Sequence, residues 1–465
     1  MTRLWAAVLF LGLVASGCAT AKFTLKAEDE ALAGHYVLAH EDGWPISHRR
    51  KPIRPQEYQV YINDKILAGI DDRACGLWQK RQPLRLLLFV HGGLNGYSTD
   101  FERMRQLMLG TKDSGTPLLS RTSYYPIFVN WNSALGDSIL DDLVFIRFGT
   151  RQPWWAGLPT APFVLVGRLS ESVFNTPNAW WANTRNFDEM TPGPPEWAES
   201  LVMLPVRGFM TPILRAFGTS AWQIMKRRAD LLVASRLDDN PARAPEGAAR
   251  TLVNTLAARM GAGPRAEPEW KIETGNCSVR QGPVEITVVG HSMGALALNR
   301  LLAAHHAFRV RHIVYLAPAS SIEEIEGFVG PYLKSHDDAK FWLFTLSRRD
   351  EARERDPSGL LPRGTLLVWI DSFFEPVTTL GAMRMGRYKG YLDYYRRRTP
   401  DPPVTVYRMP DKGENVPRAH GEFDDPPFLT RILCTVDTPA FRDPAFCDDQ
   451  RFRVPTTIRG EKLLE

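Results

Sequence analysis

At 465 residues, the chain exceeds the usual single-domain length of roughly 100 to 200 residues, although α/β folds with insertions can reach this size as one body. Hydrophobic residues at 44% and charged residues at 23% are ordinary globular values and leave ample material for a core. The formal net charge of +5 is small for this length, and no recognition motif accompanies the basic clusters, so we expect no nucleic-acid partner.

The first eighteen residues form a targeting pattern. Arg3 is the only charge before an apolar segment, residues 4–14, which is too short to span a bilayer but suits a signal-peptide core. Small residues then precede Cys18, in an arrangement that resembles the lipobox of bacterial lipoproteins, where cleavage precedes a cysteine that becomes lipidated. An ordinary signal peptide followed by a chance cysteine is the alternative.

The lipobox resemblance implies a place in the cell. No later run of 18 apolar residues predicts a membrane span, so we expect a mature chain that faces the periplasm from a lipid anchor at one end. Ala19 stands where many lipoproteins carry the aspartate that favours retention in the inner membrane, so the outer membrane is the expected location. In an oxidising periplasm the remaining cysteines allow two disulfides, in three pairings: Cys75, Cys277, Cys434 and Cys447.

Strand and helix patterns alternate along most of the chain. Apolar runs predict strands over residues 58–63, 84–90, 125–131, 284–289, 312–318, 341–346, 365–370 and 404–409. Helical patterns cover residues 100–108, 249–260 and the segment after residue 294. This alternation predicts an α/β fold with a mostly parallel central sheet and helices on both faces.

Residues 150–248 interrupt the alternation. The segment from Thr150 to about Val233 holds six of the 13 tryptophans, including the pairs at 154–155 and 180–181, with many prolines and helical pieces such as residues 219–232. This enrichment predicts a large helical insertion that forms a lid or cap over an apolar cleft. An insertion packed on the body of the protein explains it equally well.

One apolar strand ends abruptly at a glycine-rich loop. Residues 86–90 contain no polar side chain, which suits a central parallel strand covered on both faces. The sequence HGGLNG (91–96) follows, and its glycines let the backbone turn sharply and come close to another group. Taken alone, the loop is either a functional element or only a turn.

The strongest chemical signal is the sequence GHSMG (290–294), directly after the predicted strand 284–289 and before a helical pattern. G-x-S-x-G between a strand and a helix is the pattern of a nucleophile elbow. The serine occupies a tight turn there, and the flanking glycines keep side chains away from the crossing strand and helix. We therefore predict that Ser292 is a nucleophile.

With the elbow and the glycine loop together, the chain resembles the α/β-hydrolase superfamily, in its esterase- and lipase-like members. The resemblance covers residues 84–131 and 284–425 and leaves the insertion outside. It implies an oxyanion hole that takes one backbone N–H from Gly93 or Leu94 and the other from Met293. This chain has HGGL where many lipases have HGGG, so the choice between Gly93 and Leu94 stays open.

The family order places an acid and then a histidine after the serine. Position argues against His305 and His306, which lie far down the helix, and against His312 and His336, which open or precede strands at the far end of the sheet. His420 follows the last predicted strand, in a loop, and is the predicted base.

The orienting acid should follow the predicted strand 341–346. Asp350 lies four residues beyond Leu346 and is the first candidate. Glu351 and Asp371 compete, the latter because it directly follows the predicted strand 365–370. The acid would hold the imidazole in the correct tautomer and stabilise the imidazolium.

The resemblance also implies a disulfide pairing. Cys75 and Cys277 precede the two strands that lead into the glycine loop and the elbow, and these strands are neighbours in the α/β-hydrolase sheet. Their upstream connections would meet at the non-catalytic edge, so we predict a Cys75–Cys277 bond. Cys434 and Cys447 are 13 residues apart, and closing this short loop would staple the C-terminal segment.

Together these patterns predict a serine hydrolase that cleaves a carboxylic ester or a lipid ester through an acyl-enzyme on Ser292. An acyltransferase with the same nucleophile, and a non-catalytic envelope lipoprotein that uses the fold as a scaffold, are the alternatives. No Cys/His ligand spacing and no G-x-G-x-x-G loop occurs, so we expect neither a metal nor another cofactor. The expected partners are the ester or lipid substrate and the membrane that holds the lipid anchor.

The expected organisation has six segments. In chain order these are a signal peptide (1–17), a lipidated N-terminal segment (18–57), the first part of the α/β-hydrolase core (58–149), the lid- or cap-like insertion (150–248), the second part of the core (249–430) and a C-terminal tail (431–465).

Overall fold

A mostly parallel β-sheet forms the centre of the protein in the computed structural model. The residues described are 32–47, 51–92, 96–110, 121–147, 150–185, 204–235, 246–260, 268–273, 277–354, 364–395, 404–409, 416–450 and 456–458. The predicted signal peptide and Cys18 lie outside these residues.

The sheet order departs from the chain order of its strands. The strands are β1 (Tyr36–Ala39), β2 (Leu84–Val90), β3 (Tyr124–Trp131), β4 (Ile146–Arg147), β5 (Thr150–Arg151), β6 (Glu269–Lys271), β7 (Gln281–His291), β8 (His312–Leu316), β9 (Lys340–Thr345), β10 (Val404–Arg408) and β11 (Thr456–Ile458). The sheet runs β1-β3-β2-β7-β8-β9-β10-β11, with β6 beside β7, while β4 and β5 pair separately. Neighbours from β1 to β10 are parallel, and β6 and β11 are antiparallel.

The register aligns the carboxyl ends of the three central strands. Val90, the last residue of β2, lies opposite Val129 of β3 and Gly290 of β7. All seven side chains of β2 are buried, which is what the continuous apolar run predicts for a strand covered on both faces. The glycine loop and the elbow therefore leave the sheet side by side at one edge.

Helices connect and cover the strands. They are α1 (Pro55–Tyr61), α2 (Ala68–Trp78), α3 (Tyr97–Leu109), α4 (Leu135–Leu140), α5 (Trp154–Gly157), α6 (Ala161–Arg185), α7 (Leu204–Leu232), α8 (Ala248–Met260), α9 (Gly294–Ala304), α10 (Ile322–Ser335), α11 (Arg348–Arg353), α12 (Leu366–Trp369), α13 (Tyr388–Tyr395), α14 (Pro426–Val436) and α15 (Phe446–Gln450). This alternation with a mostly parallel sheet confirms the α/β class.

The predicted strand over residues 58–63 is wrong, because this segment is helical. Helix α1 begins with Pro55 at its first position and continues into a π-helical segment, Ile62–Leu67. Tyr58, Ile62 and Ile66 are buried at intervals of four, which is the helical period. The short alternation in YQVYIN concealed this longer period.

The predicted strand over residues 365–370 is also wrong. Thr365 caps helix α12, because its hydroxyl accepts a hydrogen bond from the Val368 N–H at 3.4 Å. The chain then forms a π-helical segment, Ile370–Phe374. A short buried apolar run suits either a strand or a helix, and here the cap selects the helix. Asp371 therefore lies within a helical segment and not at the end of a strand.

Helix α7, in the segment that the sequence predicts as an insertion, packs on the rest of the protein. Trp222 and Met225 are fully buried, and Arg228 donates a hydrogen bond to the Asn132 carbonyl at 2.9 Å and pairs with Asp141 at 2.6 Å. Asn132 follows the carboxyl end of β3, so α7 packs at the sheet edge that also carries the elbow. The side chains of the second tryptophan pair, Trp180-Trp181, lie outside the described residues.

Both predicted disulfides are present. Cys75 in α2 is bonded to Cys277, with a Cα–Cα distance of 5.8 Å, and Cys434 in α14 to Cys447 in α15, at 5.2 Å. The two flanks of the chain also join the sheet, because β1 pairs with β3 and β11 pairs with β10. In the described ranges, no helix has the length and hydropathy needed to cross a membrane.

Candidate active site

The turn between β7 and α9 carries Ser292 in a strained conformation. Its φ is +50°, in the left-handed region that non-glycine residues rarely adopt. The following loop holds this turn: the Ser292 N–H donates to the Leu316 carbonyl at 2.9 Å, and the Ala319 N–H donates to the Ser292 carbonyl at 3.0 Å. The serine side chain is thus fixed at the carboxyl edge of the sheet.

Two glycines are required by the closeness of the glycine loop and the elbow. A Cβ on Gly92 would lie 2.8 Å from the Ser292 Cβ, closer than real contacts allow. A Cβ on Gly294 would overlap the Val90 carbonyl at the end of β2. The glycines therefore permit the two neighbouring strand ends to meet.

His420 reaches the serine from the loop after β10. Its Nε2 lies 2.8 Å from Ser292 Oγ, although 128 residues separate the two along the chain. The residue opens a short 3-10 turn, His420–Glu422, and is 6% exposed. A serine hydroxyl at hydrogen-bond distance from an imidazole nitrogen is the arrangement that general-base activation of a nucleophile needs.

The environment of His420 keeps its imidazole neutral. Burial, followed by repulsion from His291, lowers the pKa of His420 to about 3, against a smaller raising effect from Asp424. A neutral imidazole can accept the serine proton, but a base with so low a pKa holds it weakly. Among the described residues nothing hydrogen-bonds His420 Nδ1, although this atom is buried.

Two of the three sequence-based candidates for the acid, Asp350 and Asp371, are engaged elsewhere, and the third, Glu351, is buried. Asp350 Oδ2 accepts hydrogen bonds from the Ser347 hydroxyl at 2.9 Å and from Arg418 at 2.9 Å. Asp371 is fully buried in ion pairs with Arg384 at 3.1 Å and Arg387 at 2.8 Å. Neither carboxylate is hydrogen-bonded to the imidazole of His420.

Glu354 is the carboxylate that contacts His420, and no pattern in the sequence selects it. Its Oε2 accepts a hydrogen bond from the His420 backbone N–H at 2.8 Å, and burial raises the pKa of Glu354. The residue directly follows α11, a helix of six residues after β9. Asp350 is nearer the end of β9 but lies within this helix, which carries the chain on to Glu354.

A second histidine supports the loop that carries His420. His291 Nε2 lies 2.9 Å from the His420 carbonyl, and its Nδ1 lies 3.2 Å from Asp424 Oδ2. Burial opposes ionisation of Asp424, but the attraction of His291 lowers its pKa overall. Arg103 extends the network, with hydrogen bonds to Asp424 Oδ2 at 2.7 Å and to the Gly421 carbonyl at 3.0 Å. These contacts fix the backbone on both sides of the imidazole.

The glycine loop is held by its own buried contacts. His91 Nε2 lies 2.8 Å from Asp100 Oδ2 in α3 and accepts a hydrogen bond from the Trp131 N–H at 3.0 Å. The Ser133 hydroxyl donates to the Gly92 carbonyl at 2.8 Å. Residues at and just after the end of β3 therefore position the start of the glycine loop beside Ser292.

Only part of the predicted oxyanion hole is described. Gly93 and Leu94 lie outside the described residues. Met293 is buried and occupies the N-cap position of α9, where backbone N–H groups carry partial positive charge. Ser292 itself is fully buried.

The described residues contain no group of three or more His, Cys, Asp or Glu side chains placed to hold a metal ion. The chain matches no protein-family model, no curated protein and no solved structure. The site that the structure shows is a serine–histidine pair at the carboxyl edge of the sheet of an α/β protein.

Proposed function

We propose that this protein is a serine hydrolase of the α/β-hydrolase type that cleaves a carboxylic or lipid ester. The observation that carries the proposal is the 2.8 Å distance between Ser292 Oγ and His420 Nε2, with the serine at φ +50° in a strand–turn–helix elbow. A strained turn of this kind costs of order 1–3 kcal/mol and has little use in a purely structural loop.

The sheet topology supports the assignment to this fold. The nucleophile follows β7, the glycine loop follows its neighbour β2, and the histidine follows β10, two strands beyond β8. Parallel pairing from β2 to β10 brings these three loops to one edge. The chain order of nucleophile, acid and histidine is also that of α/β-hydrolases.

The proposed reaction has two steps. Ser292 Oγ attacks the ester carbonyl while His420 Nε2 accepts the hydroxyl proton, and the tetrahedral intermediate places its oxyanion against the N–H of Met293 and that of Gly93 or Leu94. Collapse breaks the ester bond, and His420 returns the proton to the leaving alcohol. Water, deprotonated by His420, then attacks the acyl-enzyme, and the carboxylic acid leaves as Ser292 recovers its proton.

We assign the acid role to Glu354 in preference to Asp350 and Asp371. Its carboxylate already contacts the backbone of His420, and a change of side-chain rotamer would bring it toward the unpartnered Nδ1. A carboxylate at that position raises the pKa of the imidazole toward the range in which a general base works well. Moving Asp371 there would break two buried ion pairs, which is costly.

A fluorophosphonate probe tests the nucleophile directly. We expect the wild-type protein to be labelled on Ser292 and the Ser292→Ala variant not to be labelled. Ser335→Ala, a serine near the end of α10, is the matched control and should label as wild type does. Unlabelled wild type would favour the non-catalytic scaffold, while labelling with transfer to an added alcohol instead of hydrolysis would favour an acyltransferase.

We also propose that Cys18 carries a lipid that holds the protein at the outer membrane, facing the periplasm. The supporting pattern is the short apolar segment followed by small residues and the cysteine. Loss of labelled palmitate from the Cys18→Ser variant, with retention in wild type, is the expected result. Incorporation into both proteins would contradict the proposed anchor.

A further inference from the structure

One part of the surface is unusually rich in exposed apolar side chains. Among the described residues, eleven large hydrophobic side chains are exposed, and seven of these lie in one stretch that begins at α5 and extends into α6. We call these seven the apolar stripe: Trp154, Trp155, Leu158, Phe163, Val166, Val173 and Phe174. Phe174 is 84% exposed and Phe163 is 79% exposed, so these rings are almost entirely outside the protein.

The part of the apolar stripe on α6 occupies one side of the helix. At 3.6 residues per turn, Phe163, Val166, Val173 and Phe174 fall within an arc of about 100°. Ser172, on the opposite side, is buried and donates to the Pro212 carbonyl of α7 at 2.5 Å. Helix α6 therefore turns a polar residue toward the protein and its apolar side toward the surroundings, the reverse of an ordinary surface helix.

The charged side chains near the apolar stripe are paired within the protein. Arg168 of α6 pairs with Asp142 at 3.0 Å, and Arg151 of β5 pairs with Asp141 at 3.1 Å. These pairs connect the insertion to the π-helical segment Asp141–Phe145, which packs on α6. Attraction between the apolar stripe and a partner would therefore depend on burial of apolar area more than on charge.

We propose that the apolar stripe docks onto the surface of a lipid bilayer. Adjacent tryptophans beside phenylalanine and aliphatic residues are the composition that partitions into the boundary between lipid headgroups and acyl chains. Soluble monomers rarely expose many large apolar side chains in one region, and such regions mark contact sites.

The position of the N-terminal segment is consistent with this partner. With the lipid proposed above on Cys18, the anchor lies fourteen positions before Leu32, where the described chain begins, a distance of at most about 50 Å. After β1 the chain passes Gly43, where a Cβ would overlap the Leu231 carbonyl near the end of α7. The N-terminal part of the described chain therefore contacts α7, the helix on which α6 packs.

Sedimentation with sucrose-loaded phosphatidylcholine vesicles tests the docking without the anchor. The mature Cys18→Ser protein should co-sediment, and its Phe163→Ser/Phe174→Ser form should bind at least tenfold more weakly. A second form, Trp154→Ser/Trp155→Ser, should show a similar loss. Val60→Ser/Leu109→Ser removes two exposed apolar side chains elsewhere and should bind as the parent does.

Equal binding of all four proteins, or no binding of the parent, would overturn the proposal. Binding only to vesicles that contain phosphatidylglycerol, with no loss in the two double variants of the apolar stripe, would instead indicate attraction by basic residues and would also overturn it. Light scattering that shows a dimer of the parent and a monomer of these two double variants would assign the apolar stripe to a second copy of the chain. Because no readout uses hydrolysis, a failure here is distinct from a failure of the proposed hydrolase.

Discussion

The site that we propose as catalytic departs from ordinary folding preferences in the opposite way to the apolar stripe. We call it the catalytic corner and define it as Ser292, His420, Glu354, His291 and Asp424. In the catalytic corner, ionisable side chains are buried, although burial of such groups is costly unless they are paired. In the apolar stripe, large hydrophobic side chains are exposed, although the protein has a large core that could hold such residues. Departures of both kinds concentrate where a protein contacts a ligand or a partner.

The two regions also differ in how their neighbours constrain them. Contacts from the loop after β8, from α3 and from the loop after β10 fix the catalytic corner. Among the described residues, the side chains of the apolar stripe are exposed and bury little area, so changes there should leave the rest of the protein intact. The expected consequence is a separation of effects: the corner controls the rate of hydrolysis and the stripe controls membrane binding.

Replacement of the base should give the largest effect. His420→Ala is expected to reduce kcat/KM for a short p-nitrophenyl ester by at least about a thousandfold, because the serine then lacks a proton acceptor. His306→Ala, at an exposed position beyond α9, should keep the wild-type rate. Activity of His420→Ala above about a tenth of wild type would assign the base to another residue.

Replacement of the acid should come next. Glu354→Gln is expected to lower kcat by about a hundredfold or more, because the imidazolium formed during the reaction loses its anionic partner. Asp350→Asn should cost less, since its carboxylate pairs with Arg418. Asp371→Asn should lower the thermal midpoint rather than kcat, because it removes the buried ion pairs of Asp371 with Arg384 and Arg387. A larger loss of kcat for Asp350→Asn than for Glu354→Gln would return the acid role to Asp350.

Acid should destabilise the protein partly through His420. The pKa of this group is about 3 in the folded protein and 6.5 ordinarily, so the unfolded chain binds a proton below about pH 6.5 that the folded protein refuses. The free energy of unfolding therefore falls as the pH decreases from 6.5 toward 3. Between pH 7 and pH 5 this contributes about 2 kcal/mol. Urea unfolding should show that His420→Gln loses correspondingly less stability over this interval than wild type, and equal losses would contradict the burial argument.

Loss of the hydrogen bond from His291 to the His420 backbone should lower the rate about tenfold. His291→Gln is expected to lower kcat with little change in KM, because the His420 backbone loses a hydrogen-bond donor while the substrate contacts remain. Repulsion from His291 lowers the pKa of His420, so the acidic limb of kcat/KM should move to higher pH in this variant. Asp424→Asn should move the limb in the opposite direction. A proportional loss of kcat at every pH, with no movement of the limb, would indicate a purely structural role.

The smallest effect concerns stability in the apolar stripe. Phe163→Ser/Phe174→Ser should shift the thermal midpoint by no more than about 1 °C, because these rings are exposed and bury little area. Trp222→Ala in α7 is the contrast, since this fully buried side chain should cost about 3–5 kcal/mol. A large destabilisation by the serine pair would mean that the stripe packs within the protein, and the separation between the two regions would fail.

The sequence by itself determined the features that local patterns encode. The continuous apolar run of β2 and the G-x-S-x-G turn each depend on residues close together in the chain, and both occur as predicted. The Cys434–Cys447 bond could be predicted from its short spacing in the chain, and the Cys75–Cys277 bond from the neighbouring strands that the α/β-hydrolase resemblance implies. The placement of His420 followed from the order of strands, which is a topological property.

Only the tertiary structure decided the features that depend on contacts between residues far apart in the chain. The run TLLVWI is apolar enough for a strand, but a threonine cap and its burial make it helical, which moves Asp371 into ion pairs away from the serine. Glu354 contacts His420 because the six-residue helix α11 lies between β9 and Glu354, and the sequence pattern did not predict this helix. The apolar side of α6 is also undecidable from composition, because a tryptophan-rich helix can be buried or exposed. Its orientation is set by the buried Ser172 and by the packing of α6 on α7.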